Sequence, residues 1–232
     1  MNRQIVLDTE TTGLEPSQGH RIIEIGCVEL INRRQTSNYW HHYINPEREV
    51  DAGAYNVHGI SNEFLQDKPH FAELADSFLA YIEGAELIIH NAPFDIGFLN
   101  RELSLLEQPG PPVQEICRIL DTLVMARQKH PGQKNNLDAL CKRYEIDNSA
   151  RTLHGALLDS EILAEVYLLM TGGQTALSLD TEEVVQEQDH LPSHPVTVDQ
   201  QDLLLWQVGE TDQKKHIEYL QLLEKKAGHC AW

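Results

Sequence analysis

Asp8 and Glu10 stand two residues apart behind the apolar run Ile5-Val6-Leu7, and Thr11-Thr12-Gly13 follows them. Such a run reads as a buried strand, because β-branched and apolar side chains suit a pleated core surface. Residues two apart on a strand project from the same face, so both carboxylates enter one space. Like charges there repel, and burial adds a desolvation cost. A divalent cation between them removes the conflict, and oxygen ligands suit Mg²⁺ or Mn²⁺ better than zinc. The plainer alternative is a strand that ends in a solvated acidic turn.

Three further residues could join this chemistry. Asp95 lies two residues after Pro93, a position that suits the first turn of a helix. His154 and Asp159 bracket the segment His-Gly-Ala-Leu-Leu-Asp, where Gly155 loosens the chain beside His154 and a helix then carries Asp159 inward. Each has a bland reading. First-turn acids complement the helix macrodipole, and one histidine among 12 is more often a surface group than a catalyst. The set carries the functional reading: four acids on separate elements, with one imidazole suited to proton transfer.

The elements that must position these residues alternate between strand and helix. After the first strand, residues 21–31 and 37–44 read as two more, in an antiparallel meander. Residues 71–82 place Phe71, Leu74, Ala75, Phe78, Leu79 and Ile82 at helical spacing, and Gly84 stops that helix. Leu87-Ile88-Ile89 forms a short buried strand, and Pro93 opens a helix that runs to Leu106. A fifth strand is expected over 116–120, then helices over 122–129, 137–144 and 156–170. A meander followed by interleaved helices implies an α/β fold, a mixed sheet with helices packed on it.

A chain of 232 residues has room for one substantial domain and an appendage. Cys27, Cys117, Cys141 and Cys230 are far apart and form no Cys-x-x-Cys pair, which argues against a zinc knuckle or disulfide framework and fits a reducing cytosol. No apolar stretch approaches membrane-spanning length and no export leader follows Met1. The net charge of −18 is unlike the basic footprint of a protein that grips duplex DNA by itself. A nucleic-acid substrate would therefore be held locally at a metal centre, or delivered by a basic partner.

Composition changes near Thr171-Gly172-Gly173. Residues 180–202 are rich in Glu, Gln, Asp, His and Pro and read as a linker, with too little apolar surface to offset chain entropy. Residues 203–223 regain apolar content, so this tail either docks on a partner or folds back on the first domain.

The Asp8-Thr-Glu-Thr-Thr-Gly13 opening, the segment His90-Asn-Ala-Pro-Phe-Asp95 and the His154-x-x-x-x-Asp159 ending resemble the three exonuclease motifs of the DEDD superfamily, with the histidine of its DEDDh branch. Val57-His-Gly-Ile60, Leu137-Asp-Ala-Leu-Cys141, Arg151-Thr-Leu-His154 and Ala164-Glu-Val-Tyr-Leu-Leu-Met170 are similar to the epsilon-subunit family of bacterial DNA polymerase III, the proofreading exonucleases. The likeness is strong over residues 3–179 and continues more weakly into the tail.

The resemblance implies a ribonuclease H-like fold with a five-stranded mixed sheet. It implies metal ligands at Asp8, Glu10, Asp95 and Asp159, two divalent cations (Mg²⁺ or Mn²⁺), and a general base at His154. It also implies 3′→5′ hydrolysis of a DNA strand end with release of 5′-mononucleotides. Substrate contacts are expected from Asp8, Glu10, Asp159, Thr11, Leu14, His58 and Asn91. Leu14 could wedge between bases or simply pack in its turn, and Gly53 replaces an acid that can precede His58 by five residues in that family. The implied domains are a nuclease over 1–171, a linker over 172–202 and a tail over 203–232 that anchors the polymerase catalytic (alpha) subunit. A small theta-type subunit would bind the nuclease domain. Gln174, Leu177 and Leu179 resemble a peptide that binds the beta sliding clamp, with plain linker as the alternative. Two rival functions stay open: a free-standing exonuclease that trims RNA or oligonucleotides, and a non-catalytic tether between polymerase and clamp.

Overall fold

The computed structural model describes residues 3–149, 151–172 and 209–227. The chain divides into two units, Met1–Ser178 and Leu179–Trp232. The segment with Gln174, Leu177 and Leu179 lies outside the described residues.

In the first unit, β1 (Arg3–Thr11) is the central strand of a five-stranded sheet. It pairs antiparallel with β2 (Ile22–Ile31), which pairs antiparallel with β3 (Arg34–Tyr43). On its other side it runs parallel to β4 (Glu86–Ile89), and β4 runs parallel to β5 (Arg118–Asp121). The order β3-β2-β1-β4-β5 makes the expected mixed sheet. β1 and β2 are buried along most of their length, which explains the apolar run Ile5-Val6-Leu7 in β1 and the apolar residues that fill β2 around Glu24 and Glu29.

One face is covered by α3 (Phe71–Ile82) and α4 (Ala92–Ser104), whose Phe71, Phe78, Phe98 and Leu99 pack on Ile5, Leu7 and Leu87. The opposite face carries α8 (Ala156–Thr171), with Leu163, Ala164 and Tyr167 against Val6, Val28 and Ile88. Outside α8 lie α6 (Thr122–Lys129) and α7 (Leu137–Tyr144), held through Ala126, Leu140 and Val166. Each of these helices takes its N-terminal order from the chain: Asp121 accepts from the Leu123 and Val124 amides, and Asn136 from the Ala139 amide. A buried clasp fixes α4: Glu102 accepts from Arg21 Nε and Nη2 at 2.8 and 2.7 Å and from the Ile22 amide at 3.1 Å.

Several boundaries differ from the sequence expectation. β3 begins at Arg34 rather than 37, because Asn32 and Arg33 both take positive φ (48° and 64°) in a two-residue hairpin turn. Pro93 is the second residue of α4, which starts at Ala92 behind Asn91 at φ 67°. The expected strand over 116–120 is split: Val113–Ile116 forms the short helix α5 behind Pro112, and β5 starts at Arg118. Two more short helices, α1 (Ala52–His58) and α2 (Asn62–Leu65), close the end of β2 through Ile60 and Leu65 against Ile23. In the second unit, α9 spans Glu210–Ala227 and exposes Ile217 and Tyr219. No described helix is long and apolar enough to cross a membrane.

Candidate active site

β1 outruns its parallel neighbour: the last β1–β4 pair is Val6 with Ile88, so Asp8 and Glu10 project beyond the end of β4. Crevices outside the carboxyl ends of parallel strands are where open α/β sheets bind ligands. Strand alternation divides the labour along β1. Asp8 and Glu10 share the face of Val6, toward α8, whereas Thr9 shares the face of Ile5 and Leu7, toward α4. Thr9 Oγ1 donates to Asp95 Oδ1 at 2.7 Å, which turns the first-turn acid of α4 to the same strand end.

Asp159 reaches the site because α8 lies unusually close to β2. Gly26 pairs with Asp8, and a β-carbon on Gly26 would stand 2.3 Å from the Ala156 carbonyl carbon and the Leu157 nitrogen. Ser160 Oγ then donates to the Gly26 carbonyl at 2.8 Å. Only a residue without a side chain permits this approach.

The donor atoms of Glu10, His154 and Asp159 lie within 4.8 Å of one another. Asp8 and Asp95 stand outside this triplet but lie close enough for their charges to repel those within it. Burial, then Asp95, Glu10 and Asp159, push the Asp8 carboxyl well above the usual carboxylate range. Burial, then Asp159, Glu24 and Asp95, raise Glu10 to about 8. Burial raises Asp95 to about 7 against the bond from Thr9. Packed acids of this kind fit a divalent cation, which would offset the repulsion and desolvation together.

Arg151 is the cation that sequence reasoning passed over. Its Nε and Nη2 engage both oxygens of Asp159, Nη2 at 2.8 Å from Oδ2, and Nη1 donates to Asp138 at 2.7 Å. Nη2 also points at the His154 ring, 3.0 Å from Nδ1 and 3.2 Å from Nε2. A guanidinium donates only to an unprotonated ring nitrogen, so this contact favours neutral imidazole. Burial and the Arg151 charge lower the His154 pKa, with Asp159 opposing. His154 Nδ1 is 3.5 Å from Asp159 Oδ2.

The cleft has two lobes that meet at Asp8, His90, Asn91 and His154. One, of about 560 Å³, is walled by Leu14, Ala54, Val57, His58 and Phe94. The other, of about 640 Å³, is lined by Arg127, Gln133, Asn135, Asn136 and Arg151. Leu14 is 78% exposed at the mouth of the apolar lobe. His58 is buried in that wall, its Nδ1 accepting the Ile60 amide at 3.0 Å, which leaves the proton on Nε2. Thr11 lines the same lobe, but its hydroxyl donates to the Gly13 carbonyl at 2.6 Å and shapes the turn. Asn91 lies between the lobes, its amide 3.3 Å from Asp121 Oδ1.

Comparison with known proteins finds relatives along the whole chain. A family model described as Exonuclease (RNase_T) matches residues 5–167. The DNA polymerase III subunit epsilon of Escherichia coli (strain K12) is 53% identical, covering 100% of this chain and 98% of its own. That of Haemophilus influenzae is 53% identical, covering 100% and 94%. Among solved structures, Exonuclease X in complex with 5′ overhanging duplex DNA superposes with a TM-score of 0.55 at 28% identity, over 73% of this chain and 91% of that one. The acid cluster at the end of β1 thus belongs to an enzyme, and the chain is a member of the exonuclease family, in the branch formed by the epsilon subunits of DNA polymerase III.

Proposed function

We propose that the protein is the 3′→5′ proofreading exonuclease of a replicative DNA polymerase, hydrolysing the last phosphodiester of a DNA strand and releasing 5′-mononucleotides. The observation that carries this reading is the convergence of Asp8, Glu10, Asp95 and Asp159 beside a neutral His154 at one strand end.

Asp8, Glu10 and Asp159, with Asp95 across the strand, are the residues that would hold two divalent cations, Mg²⁺ or Mn²⁺. Bound there, such ions supply electrostatic stabilisation to the attacking and departing oxygens of the phosphodiester. His154 takes the proton of the attacking water: a ring nitrogen released from the Arg151 guanidinium is the acceptor, and the imidazolium that forms is stabilised by the nearby Asp159 carboxylate. The apolar lobe receives the terminal nucleoside, with Leu14 at its mouth, Phe94 and Val57 on its walls and the His58 Nε2–H as a donor. Asn91 and Thr11 shape the same entrance. A terminus must unpair to enter such a cleft, and a mismatch lowers that cost, which selects errors.

The acidic chain suits a subunit whose grip on DNA comes from partners. In this reading residues 1–171 form the nuclease and bind a theta-type subunit. Residues 172–202 form a linker carrying the clamp peptide at Gln174, Leu177 and Leu179, and residues 203–232 hold the polymerase alpha subunit in the cytoplasm. Exposed Ile217 and Tyr219 on α9 support a docking role for the tail.

The test is hydrolysis of 3′-labelled DNA, single-stranded and with matched or mismatched primer ends, with and without chelator. Metal-dependent mononucleotide release that is faster at mismatches and lost in Asp8→Ala/Glu10→Ala is expected. Undiminished release by the double variant would refute the reading, and faster turnover on RNA would favour a free-standing trimming enzyme.

A further inference from the structure

The loop that carries His154 is fastened to α1 by two contacts that the chemistry above leaves unused. The first joins backbone to backbone: the His154 amide donates to the Val57 carbonyl at 3.1 Å. Val57 lies in the last turn of α1, where helix carbonyls lack intrahelical partners. The second contact is steric. Gly59 ends α1 at φ 73°, and a β-carbon there would stand 2.6 Å from Leu153 Cδ1, so the side chain before His154 rests on a bare backbone position. Leu153 is 48% exposed, so fold stability alone does not account for its seat. The same helix walls the apolar lobe through Gly53, Ala54, Val57 and His58.

We propose that α1 is a strap that positions the general base, with Val57, Gly59 and Leu153 as positioning residues that couple the seating of the 3′-terminal nucleoside to the placement of His154. The inference rests on the exonuclease reading above. A nucleoside pressed on Ala54 and Val57 fixes the helix whose terminal carbonyl holds the His154 amide. Contacts to the terminal base thereby act on the rate of proton transfer as well as on binding. Such coupling directs binding free energy to the transition state, where displacing a reacting group by 1 Å can cost about 100-fold.

The test is a double-mutant cycle under single-turnover conditions on a 3′-labelled single strand with Mg²⁺, using the full chain. The variants are Gly59→Ala, Leu153→Ala, His154→Ala and the two combinations with His154→Ala. Leu153→Ala is the safer variant, because it removes an exposed side chain and introduces no backbone strain. Each strap variant is expected to slow chemistry about tenfold while changing oligonucleotide Kd by less than about twofold, since a displaced general base forfeits part of its about 100- to 10,000-fold contribution. On the His154→Ala background the same substitutions are expected to cost nothing further, because no base remains to be misplaced. Equal losses on both backgrounds, or no loss in the Leu153→Ala single variant, would overturn the strap. A harmless His154→Ala would instead overturn the general-base assignment beneath it, a result told apart by that single variant alone.

Discussion

Gly26 and Ala156 meet backbone to backbone, so close that a β-carbon on Gly26 would stand 2.3 Å from the Ala156 carbonyl carbon and 2.4 Å from its oxygen. This contact sets the height of α8 over the sheet and with it the reach of Asp159 toward Asp8, the residue paired with Gly26. Gly26→Ala should lift the start of α8, lowering stability by about 1–3 kcal/mol as overpacked cores do. Hydrolysis should fall further than stability explains. Urea melts beside single-turnover rates check this, and an unchanged rate in a folded variant would count against it.

Arg151 should set the proton affinity of His154. Its guanidinium lowers the His154 pKa and holds the ring by Nη2. Arg151→Gln removes that positive charge, so the His154 pKa should rise. The acidic limb of the rate–pH profile should then move to higher pH, with a lower plateau because Asp159 loses both bonds from the guanidinium. Imidazole titration by NMR in chelator reads the shift directly; a fall in the His154 pKa would contradict it.

The raised acids make stability depend on pH and on cations. Unfolded carboxyls titrate near about 4, whereas Asp95 and Glu10 are held at about 7 and about 8 in the fold. A group whose folded pKa is raised contributes stability in full below its unfolded pKa and loses it as pH climbs through the folded value. In chelator, Tm should therefore fall between about pH 4 and pH 8 from these groups. The Glu10→Gln/Asp95→Asn variant should flatten that slope, and Mg²⁺ should raise Tm more at the upper end of the window than at the lower. Thermal scans across pH with and without Mg²⁺ decide it, and a slope unaltered by the double variant would argue against these acids as its source.

The clasp between α4 and the start of β2 should be structural. Glu102→Ala leaves the Arg21 guanidinium and the Ile22 amide without their carboxylate, at a cost of about 2–4 kcal/mol. Arg21 keeps some solvent, which limits the loss. Activity at low temperature should change little, since Asp95 retains its bond from Thr9. Chemical denaturation beside a rate at 15 °C separates the two effects.

The alternation at Asp8 and Glu10, the spacing from Pro93 to Asp95 and the segment from His154 to Asp159 were legible because each is a local signal: a period of two or a helix start. The periodicity of residues 71–82 likewise matches α3 residue for residue. Arg151 was not legible as a partner, because Asp138, His154 and Asp159 come together only after α7 and α8 pack. Gly26 looked like any glycine in a strand, and only the approach of Ala156 gives it meaning. α1 escaped notice because Ala-Gly-Ala-Tyr-Asn-Val-His carries little apolar periodicity and contains Gly53. The start of β3 was missed because Asn32-Arg33 forms its hairpin turn without the glycine that usually marks one.

Calorimetric titration of Mn²⁺ into the protein and its Asp8→Asn and Asp159→Asn variants tests the caged cation pair most directly. Two ions bound per chain in the parent, with at least one lost in each variant while folding is retained, is the expected result. Equal stoichiometry and affinity in all three proteins would contradict it.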